Sequence, residues 1–483
     1  MPDAFEKKLT RDCLQMALDA GAQKARVNLA GSRMDLVATL NGEIDKVTAC
    51  LDRSLEISIF ADGRFGAFST NRLEEKALRK FVSDAVQTVK MLAPDPCRDL
   101  PSPDRQAKNA LTGDELDLYD KSYEDVQPSQ RREAALKASV WPSKGKGWKL
   151  ISEEGEYSDS LEYCYTIDSG GLDATHRETC FSYGVEVTIE DSRHRKYSGY
   201  WWDSCVGGSD LDVQAIGRKA LETAVAQIGS SSIPGGKRTL VLDSEISYKA
   251  VSPILAALGG YSIQQNNSFL IDSLGKLVFP EGMTLLDCPH RKGENGSRLF
   301  DSEGVATQER PIIEKGVVKE YFLNTYTANK LGLAPTQEEA TRPLLLPYGI
   351  TERCRPSETR ATLGTVRGRG PSASLGGVER SETVSEGLTA FGQKEILNLC
   401  GSGILVTDFN GGNSNPATGD FSYGIEGFEF KDGKILRPVS GMLITGNFLS
   451  LWQGLIAAGD DSRPCKGKLI PTLAFRDVDF SGE

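Results

Sequence analysis

The sequence predicts an α+β fold, with N-terminal strand-hairpin-plus-helix layers followed by a strand-rich C-terminal domain of β-barrel or sandwich-like type. Three observations predict it. Two successive blocks each run from alternating apolar segments into one amphipathic helix, the pattern of a sheet covered by helix. A proline-rich connector separates these blocks. The second half of the chain is dominated by short strand-like runs joined by glycine-containing turns.

In the first block, Phe5, Leu9, Cys13, Met16 and Ala20 recur at three- and four-residue steps, and Gly21 supplies a stop. The runs MDLVATL and SLEISIF alternate as strands, and Asn41-Gly42 and Asp62-Gly63 mark hairpin turns. The segment RLEEKALRKFVSDAVQTVKML then predicts a helix with Leu73, Ala77, Phe81, Ala85 and Val89 on one stripe. Residues 93–109 hold four prolines and read as a connector.

The second block repeats the theme. SLEYCYTI, FSYGVEVTIE and SGYWWDSC read as strands, and DVQAIGRKALETAVAQIG as a helix burying Val213, Ile216, Ala220, Ala224 and Ile228. The turn SSSIPGGKR precedes TLVLD, which opens a third block. The expected domains are therefore 1–112 (N-terminal α+β), 113–232 (central α+β) and 233–483 (strand-rich). Within the third, RPIIEKGVVKEYFLN predicts a hairpin turning at Lys315-Gly316, followed by a short helix over TYTANKLGL. From about 341 to 390 periodicity fades, with seven arginines against three glutamates up to Arg380. That length of irregular chain reads as an insertion.

Composition excludes several functions. A net charge of -11 opposes binding to nucleic acid through its phosphates. No apolar run reaches the length of a membrane span, and the start lacks the apolar core of a secretory signal. The ten cysteines form no C-x-x-C pair and read as reduced thiols of a cytoplasmic protein.

The three histidines, at 176, 194 and 290, cannot form a helical H-E-x-x-H zinc site, which needs two imidazoles one turn apart. Cys288 with His290 is the nearest metal half-site, and the pair is expected to be a polar loop after a strand. No G-x-S-x-G elbow is present. Cys465 is a nucleophile only if a base lies close in space. The glycines of GTVRGRGPSASLGG lack the strand-to-helix context of a phosphate loop. Tyr200, Trp201 and Trp202 are expected in the core.

Three stretches together resemble the TldD/PmbA family, whose members have been labelled modulators of DNA gyrase. They are LEISIFADGRFGAFST (55–70), FDSEGVATQERPIIEKGVVKEYFLNTYTANKLGL (300–333), and GGNSNPATGDFSYGIEGF (411–428) continued as EFKDGKILRPVSGMLITGNFL. The resemblance spans nearly the whole chain, broken at about 341–390. It implies a cytosolic peptidase of two related subunits that encloses a cavity and cleaves unfolded peptides or leader peptides. In such a pair the TldD type holds zinc with a helical H-E-x-x-x-H motif and a distant cysteine, and the PmbA/TldE type lacks the motif.

Carried onto this chain, the motif falls on ISYKAVSPILAAL, where Tyr248, Lys249 and Pro253 approximately replace the histidines and glutamate. Cys465 matches the cysteine position. Ser252-Pro253 reads as an N-cap and first helical residue. The resemblance thus implies a PmbA/TldE-type subunit with no cofactor of its own, zinc being expected only in a TldD-type partner. That partner would form a heterodimer with it, the alternative being a homodimer, and neither nucleic acid nor membrane is involved. Gly411, Gly412, Asn413, Thr418, Gly419, Asp420 and Phe421 are expected either to bind peptide substrate through close backbone approach or to form a structural corner. The rival functions are an autonomous peptidase using Cys465 and a non-enzymatic regulatory or binding protein.

Overall fold

The computed structural model describes residues 3–108, 110–349 and 391–482. Helix α1 (Ala4–Asp19) starts in a capping box formed by Asp3 and Glu6. Leu9, Cys13 and Ala17 are its buried stripe, whereas Phe5 is 65% exposed. The expected stripe thus holds in the middle and fails at both ends. Glu6 takes the inward place at the start, its carboxylate held by the Tyr163 hydroxyl (3.1 Å) and Arg53 (3.3 Å).

The alternating runs of the first block belong to much longer strands, β1 (Lys24–Leu40) and β2 (Glu43–Ala61), followed by β3 (Arg64–Thr70). The two predicted turns join them. Asn41 and Gly42 have φ of 51° and 79°, and Asp62 and Gly63 have φ of 53° and 70°, the left-handed pair that a tight hairpin requires. Helix α2 (Glu75–Val89) buries Leu78, Val82, Ala85, Val86 and Val89. Of the expected stripe Ala85 and Val89 are buried and Leu73, Ala77 and Phe81 only half-buried, so the buried face is shifted by one residue in the first half of the helix.

The second block contributes α3 (Pro128–Lys137), β4 (Lys144–Gly145), β5 (Trp148–Asp168), β6 (Asp173–Asp191), β7 (Lys196–Cys205) and α4 (Val213–Ala226). Val213, Ile216, Ala220 and Ala224 on α4 are buried as predicted. Both blocks share one half-barrel sheet of order β3-β2-β1-β5-β6-β7, with β4 on β5. The joint is the antiparallel register of β1 on β5, from Arg26↔Asp168 to Leu40↔Glu154. Helices cover one face, and the cores beneath α1–α2 and α3–α4 remain distinct.

The third block holds β8 (Gly236–Leu242), α5 (Tyr248–Ala257), α6 (Gly260–Gln264), β9 (Leu285–Asp287), β10 (Arg310–Glu314), β11 (Val317–Val318), α7 (Thr325–Leu331) and β12 (Pro343–Leu345). After residue 391 come α8 (Gln393–Cys400), β13 (Ser402–Ser414), β14 (Asp420–Lys431), β15 (Lys434–Asn447), α9 (Phe448–Gln453), β16 (Leu455–Ala458) and β17 (Leu473–Gly482). The predicted hairpin turns at Lys315-Gly316, and the short predicted helix is α7.

Strands β15, β14, β13, β8 and β17 pair in that order, and β15 pairs back on β17, closing a five-stranded barrel. Closure leaves these strands no free edge. The predicted strand-rich C-terminal domain is therefore a barrel rather than a sandwich. Of the expected insertion at about 341–390, Pro343–Leu345 is a strand on β9, and residues 350–390 lie outside the described residues. No helix among the described residues is long and apolar enough to cross a membrane.

One buried carboxyl in this block gives a pH-dependent expectation. Asp301 accepts the N–H groups of Glu303 (2.9 Å), Val305 (2.9 Å) and Glu338 (3.3 Å). Burial nevertheless pushes its pKa from 3.8 up to about 6, with Glu303 and Glu338 adding to the rise. The folded chain therefore holds a proton that the unfolded chain has already released between those values. This group's contribution is fully present below its unfolded pKa and is lost as pH rises through about 6. It amounts to on the order of 2–3 kcal/mol. Denaturant titrations of wild type and Asp301→Asn should diverge between pH 4 and 6 and run parallel above pH 7; parallel curves throughout would contradict the assignment.

Candidate functional site

The cleft between the half-barrel and the barrel forms where β8 ends. Asp243 terminates that strand, and its carboxylate accepts the Glu245 N–H at 2.8 Å. Its carbonyl accepts from Ile246 (3.0 Å) and Ser247 (2.9 Å), winding the chain into α5. Ala250, Val251, Ile254 and Ala257 fix α5 in the core, leaving Tyr248 and Lys249 facing the cleft. Pro253 does not start this helix, contrary to the Ser252-Pro253 reading; it lies inside it. The turn that begins at Asp243 nucleates α5 upstream, so the proline removes one backbone donor from its middle. Nearby, the Trp452 indole N–H donates to the Ala250 carbonyl at 3.1 Å, giving this irregular stretch a tertiary partner.

Opposite α5 stands the loop 461–470. Arg463 pairs with Glu245 (2.8 Å) and Asp203 (3.1 Å) and donates to the Trp202 carbonyl (2.7 Å). Lys466 is buried and also pairs with Glu245, at 2.8 Å. The ammonium of Lys249 sits 5.0 Å from the Phe409 ring centre. Cys465 lies among these charges. Burial pushes its thiol up to about 11; Arg463 works against the rise and Asp203 adds to it. At neutral pH it is a thiol rather than a thiolate, which disfavours it as nucleophile or metal ligand.

The cleft has a volume of about 1100 Å³. Its second wall includes Tyr200, Trp201 and Trp202 of β7 and Lys219 and Glu222 of α4; Thr407, Asp408, Glu426 and Phe428 of the barrel complete it. The expectation that the aromatic triplet is core holds in part for Trp201, which packs against the core beneath α3–α4, and fails for Tyr200. Tyr200 is 55% exposed, and Trp201 is sandwiched between Lys219 (4.6 Å) and Arg463 (4.8 Å). β7 is the last strand of its sheet, so its side chains have no further strand beside them.

The histidines lie elsewhere. His176 faces Glu178 at 3.9 Å, His194 bonds Glu190 at 3.2 Å, and His290 bonds the Thr307 hydroxyl at 3.0 Å. Cys288, two residues from His290, is buried with its thiol pKa raised by burial. No three His, Cys, Asp or Glu side chains gather to hold a metal among the described residues. At α5, Lys249 and Lys466 stand close by, and Glu245 is engaged by Arg463 and Lys466, while Asp243, Asp408 and Glu426 are further carboxylates of the cleft. Cationic groups repel a divalent ion, and a thiol with a raised pKa must give up its proton to bind one.

The stretch 411–421 forms the far end of the β13–β14 hairpin, away from the part that lines the cleft. Gly411 and Gly412 have φ of 132° and 103° at a bulge in the register after Phe409. A Cβ at Gly412 would stand 2.0 Å from the Ser422 carbonyl, so only glycine fits. Asn413 pairs with Ser422 in the ladder. The Thr418 hydroxyl donates to Asp420 (2.7 Å), and the Asn447 amide donates to both the Thr418 carbonyl and Asp420. Gly419 lies against the Phe269 ring, while Phe421 is buried against Tyr423 and Phe448. These contacts tie the stretch to its neighbours, and of the hairpin Thr407, Asp408, Glu426 and Phe428 line the cleft. Sequence reading missed Tyr200, Trp202, Glu245, Arg463 and Lys466, which no local motif connects.

The half-barrel and the closed barrel that meet at this cleft overlap the domains of a known metallopeptidase family. The model of the PmbA/TldA metallopeptidase C-terminal domain matches residues 235–482, and that of the central domain matches 121–228. This chain belongs to the PmbA/TldD metallopeptidase family. It is 24% identical to the metalloprotease PmbA of Escherichia coli O157:H7, over 97% of this chain and 96% of that one. A crystal structure from Bacteroides thetaiotaomicron, described as a modulator of DNA gyrase, covers 100% of both chains with TM-score 0.87 and 33% identity. TldE from Thermococcus kodakarensis shares the fold, with TM-score 0.76 and 17% identity over 98% of this chain and 100% of that one.

Proposed function

We propose that this chain is the PmbA/TldE-type, non-catalytic subunit of a cytosolic two-chain peptidase acting on unfolded peptides or leader peptides. A TldD-type partner supplies the zinc and the bond-breaking chemistry, and this chain supplies part of the enclosure and of the peptide path. One observation carries the reading. Where the family's metal helix would present imidazoles and a carboxylate, α5 presents Tyr248 and Lys249, with Lys249 over the Phe409 ring. Glu245, beside them, is held by Arg463 and Lys466. This arrangement pairs Glu245 with the protein's own cations, which supports the reading that zinc is held by the partner. Against the rival in which Cys465 attacks substrate stand its raised thiol pKa and the lack of a histidine in the cleft lining.

Affinity purification of the tagged chain from its own cells is expected to bring down a second, related chain bearing the H-E-x-x-x-H motif. Deleting this chain should abolish the partner's activity on unfolded peptides. Recovery of the chain without any such partner, together with undiminished peptidase activity after deletion, would contradict the proposal.

A further inference from the structure

The helix-free face of the half-barrel carries a groove that continues the interdomain cleft. A cavity of about 610 Å³ shares Glu186, Tyr200 and Trp202 with the larger cleft. Its lining includes Asp45, Glu154, Glu156 and Glu186 but no lysine, arginine or histidine. Glu154 and Glu186 stand directly opposite each other in the β5–β6 register. Like charges so placed destabilise a sheet, and β5 and β6 are interior strands, so protection of a sheet edge does not account for them. Glu154, Glu156 and Glu186 are exposed and make no ion pair with any described residue. Two aromatic side chains, Tyr200 and Trp202, face the same groove.

Carboxylates beside aromatic faces form a receptor for organic cations. The molecule already uses this chemistry within the cleft, where Arg463 pairs with Asp203 and lies over the Trp202 ring at 5.5 Å. The shape selects an extended chain. β7 is the outermost strand, and its Trp202 carbonyl, bonded by Arg463, points away from β6 into the cleft. Main-chain groups two and four residues earlier, at Tyr200 and Ser198, point the same way and offer a strand edge to a peptide.

We propose that this groove binds an extended peptide segment bearing lysine or arginine, whose cationic side chains are met by Glu154, Glu156 and Glu186 and stack on Tyr200 and Trp202. The proposal rests on the peptide-handling reading above and adds the charge of the peptide. The test uses the purified full chain and three fluorescent, unstructured peptides of about twelve residues, rich in lysine, in glutamate or in neither. Fluorescence anisotropy should show the lysine peptide bound about tenfold more tightly than the neutral one, with the glutamate peptide weakest. The preference should shrink at about 0.5 M salt. It should also disappear in the Glu154→Gln/Glu186→Gln variant, whose Tm should be unchanged or higher because a like-charge pair is relieved. Equal affinity for all three peptides would overturn the charge selection while leaving peptide handling intact. A lysine preference that survives the double substitution would overturn the location. No binding of any peptide would overturn the peptide-handling reading as well.

Discussion

Arg131→Ala should destabilise the half-barrel by about 3–5 kcal/mol, the cost of stripping one partner from a buried ion pair. Arg131 reaches from α3 to Asp159 on β5 through two parallel bonds of 2.7 and 2.9 Å. It also contacts Asp35 on β1 at 3.2 Å and donates to the Val126 carbonyl at 3.0 Å. The side chains of Arg131 and Asp159 are 5% and 0% exposed, so solvent cannot replace the guanidinium once it is gone. Asp159 would then remain charged in the core or take up a proton at the cost of its hydrogen bonds. Because β1 and β5 are the strands that join the first two blocks, the loss falls on the seam of the sheet. Urea unfolding followed by circular dichroism measures it. A double variant, Arg131→Met with Asp159→Leu, should recover most of the loss, since removing both charges leaves no orphan. A single-variant loss under about 1 kcal/mol would show that water reaches the site.

Trp452→Ala is the second large effect, about 3–5 kcal/mol, and it falls on the barrel. The indole is 0% exposed, with Phe475 and Phe279 edge-on at 5.3 and 6.4 Å. Its N–H holds the Ala250 carbonyl in the helix that faces the cleft. Truncation therefore opens a cavity and removes the indole's hydrogen bond to that carbonyl. Trp452→Phe separates the two terms: it keeps most of the volume and should cost about 1–3 kcal/mol for the lost hydrogen bond. If Phe is as damaging as Ala, the lost indole hydrogen bond, common to both variants, dominates over the lost volume. If both variants unfold at the wild-type denaturant concentration, this aromatic cluster does not hold the barrel together.

Local chemistry was legible from sequence, and long-range assembly was not. The turns at Asn41-Gly42, Asp62-Gly63 and Lys315-Gly316 declare themselves because few residue pairs tolerate two consecutive positive φ angles. The α4 stripe was read correctly because Val213, Ile216, Ala220 and Ala224 are small or β-branched side chains facing one sheet. The α2 stripe was read correctly at Ala85 and Val89 and one residue off before them, since Ala77 and Phe81 fit the same period as Leu78 and Val82. Nothing local announces that β1 pairs with β5, whose residues lie more than a hundred positions away. Pro253 misled because a serine-proline pair is a genuine start signal, overridden here by the Asp243 turn and the burial of the apolar face of α5. The cleft gathers Tyr200, Lys249, Asp408 and Arg463 from four segments, so only the fold brings them together. Resemblance singled out Cys465, but its raised thiol pKa is a property of its neighbours in space.

The central claim is that this chain does not itself carry the metal chemistry of its family. The direct measurement is the metal content and the peptidase activity of the purified chain alone on an unfolded peptide, with and without chelator. The expected result is no bound zinc and no cleavage in either condition, with cleavage appearing only when a TldD-type subunit is added. Stoichiometric zinc with chelator-sensitive cleavage by the chain alone would contradict the account and would require ligands that the Tyr248–Lys249 face of α5 does not supply.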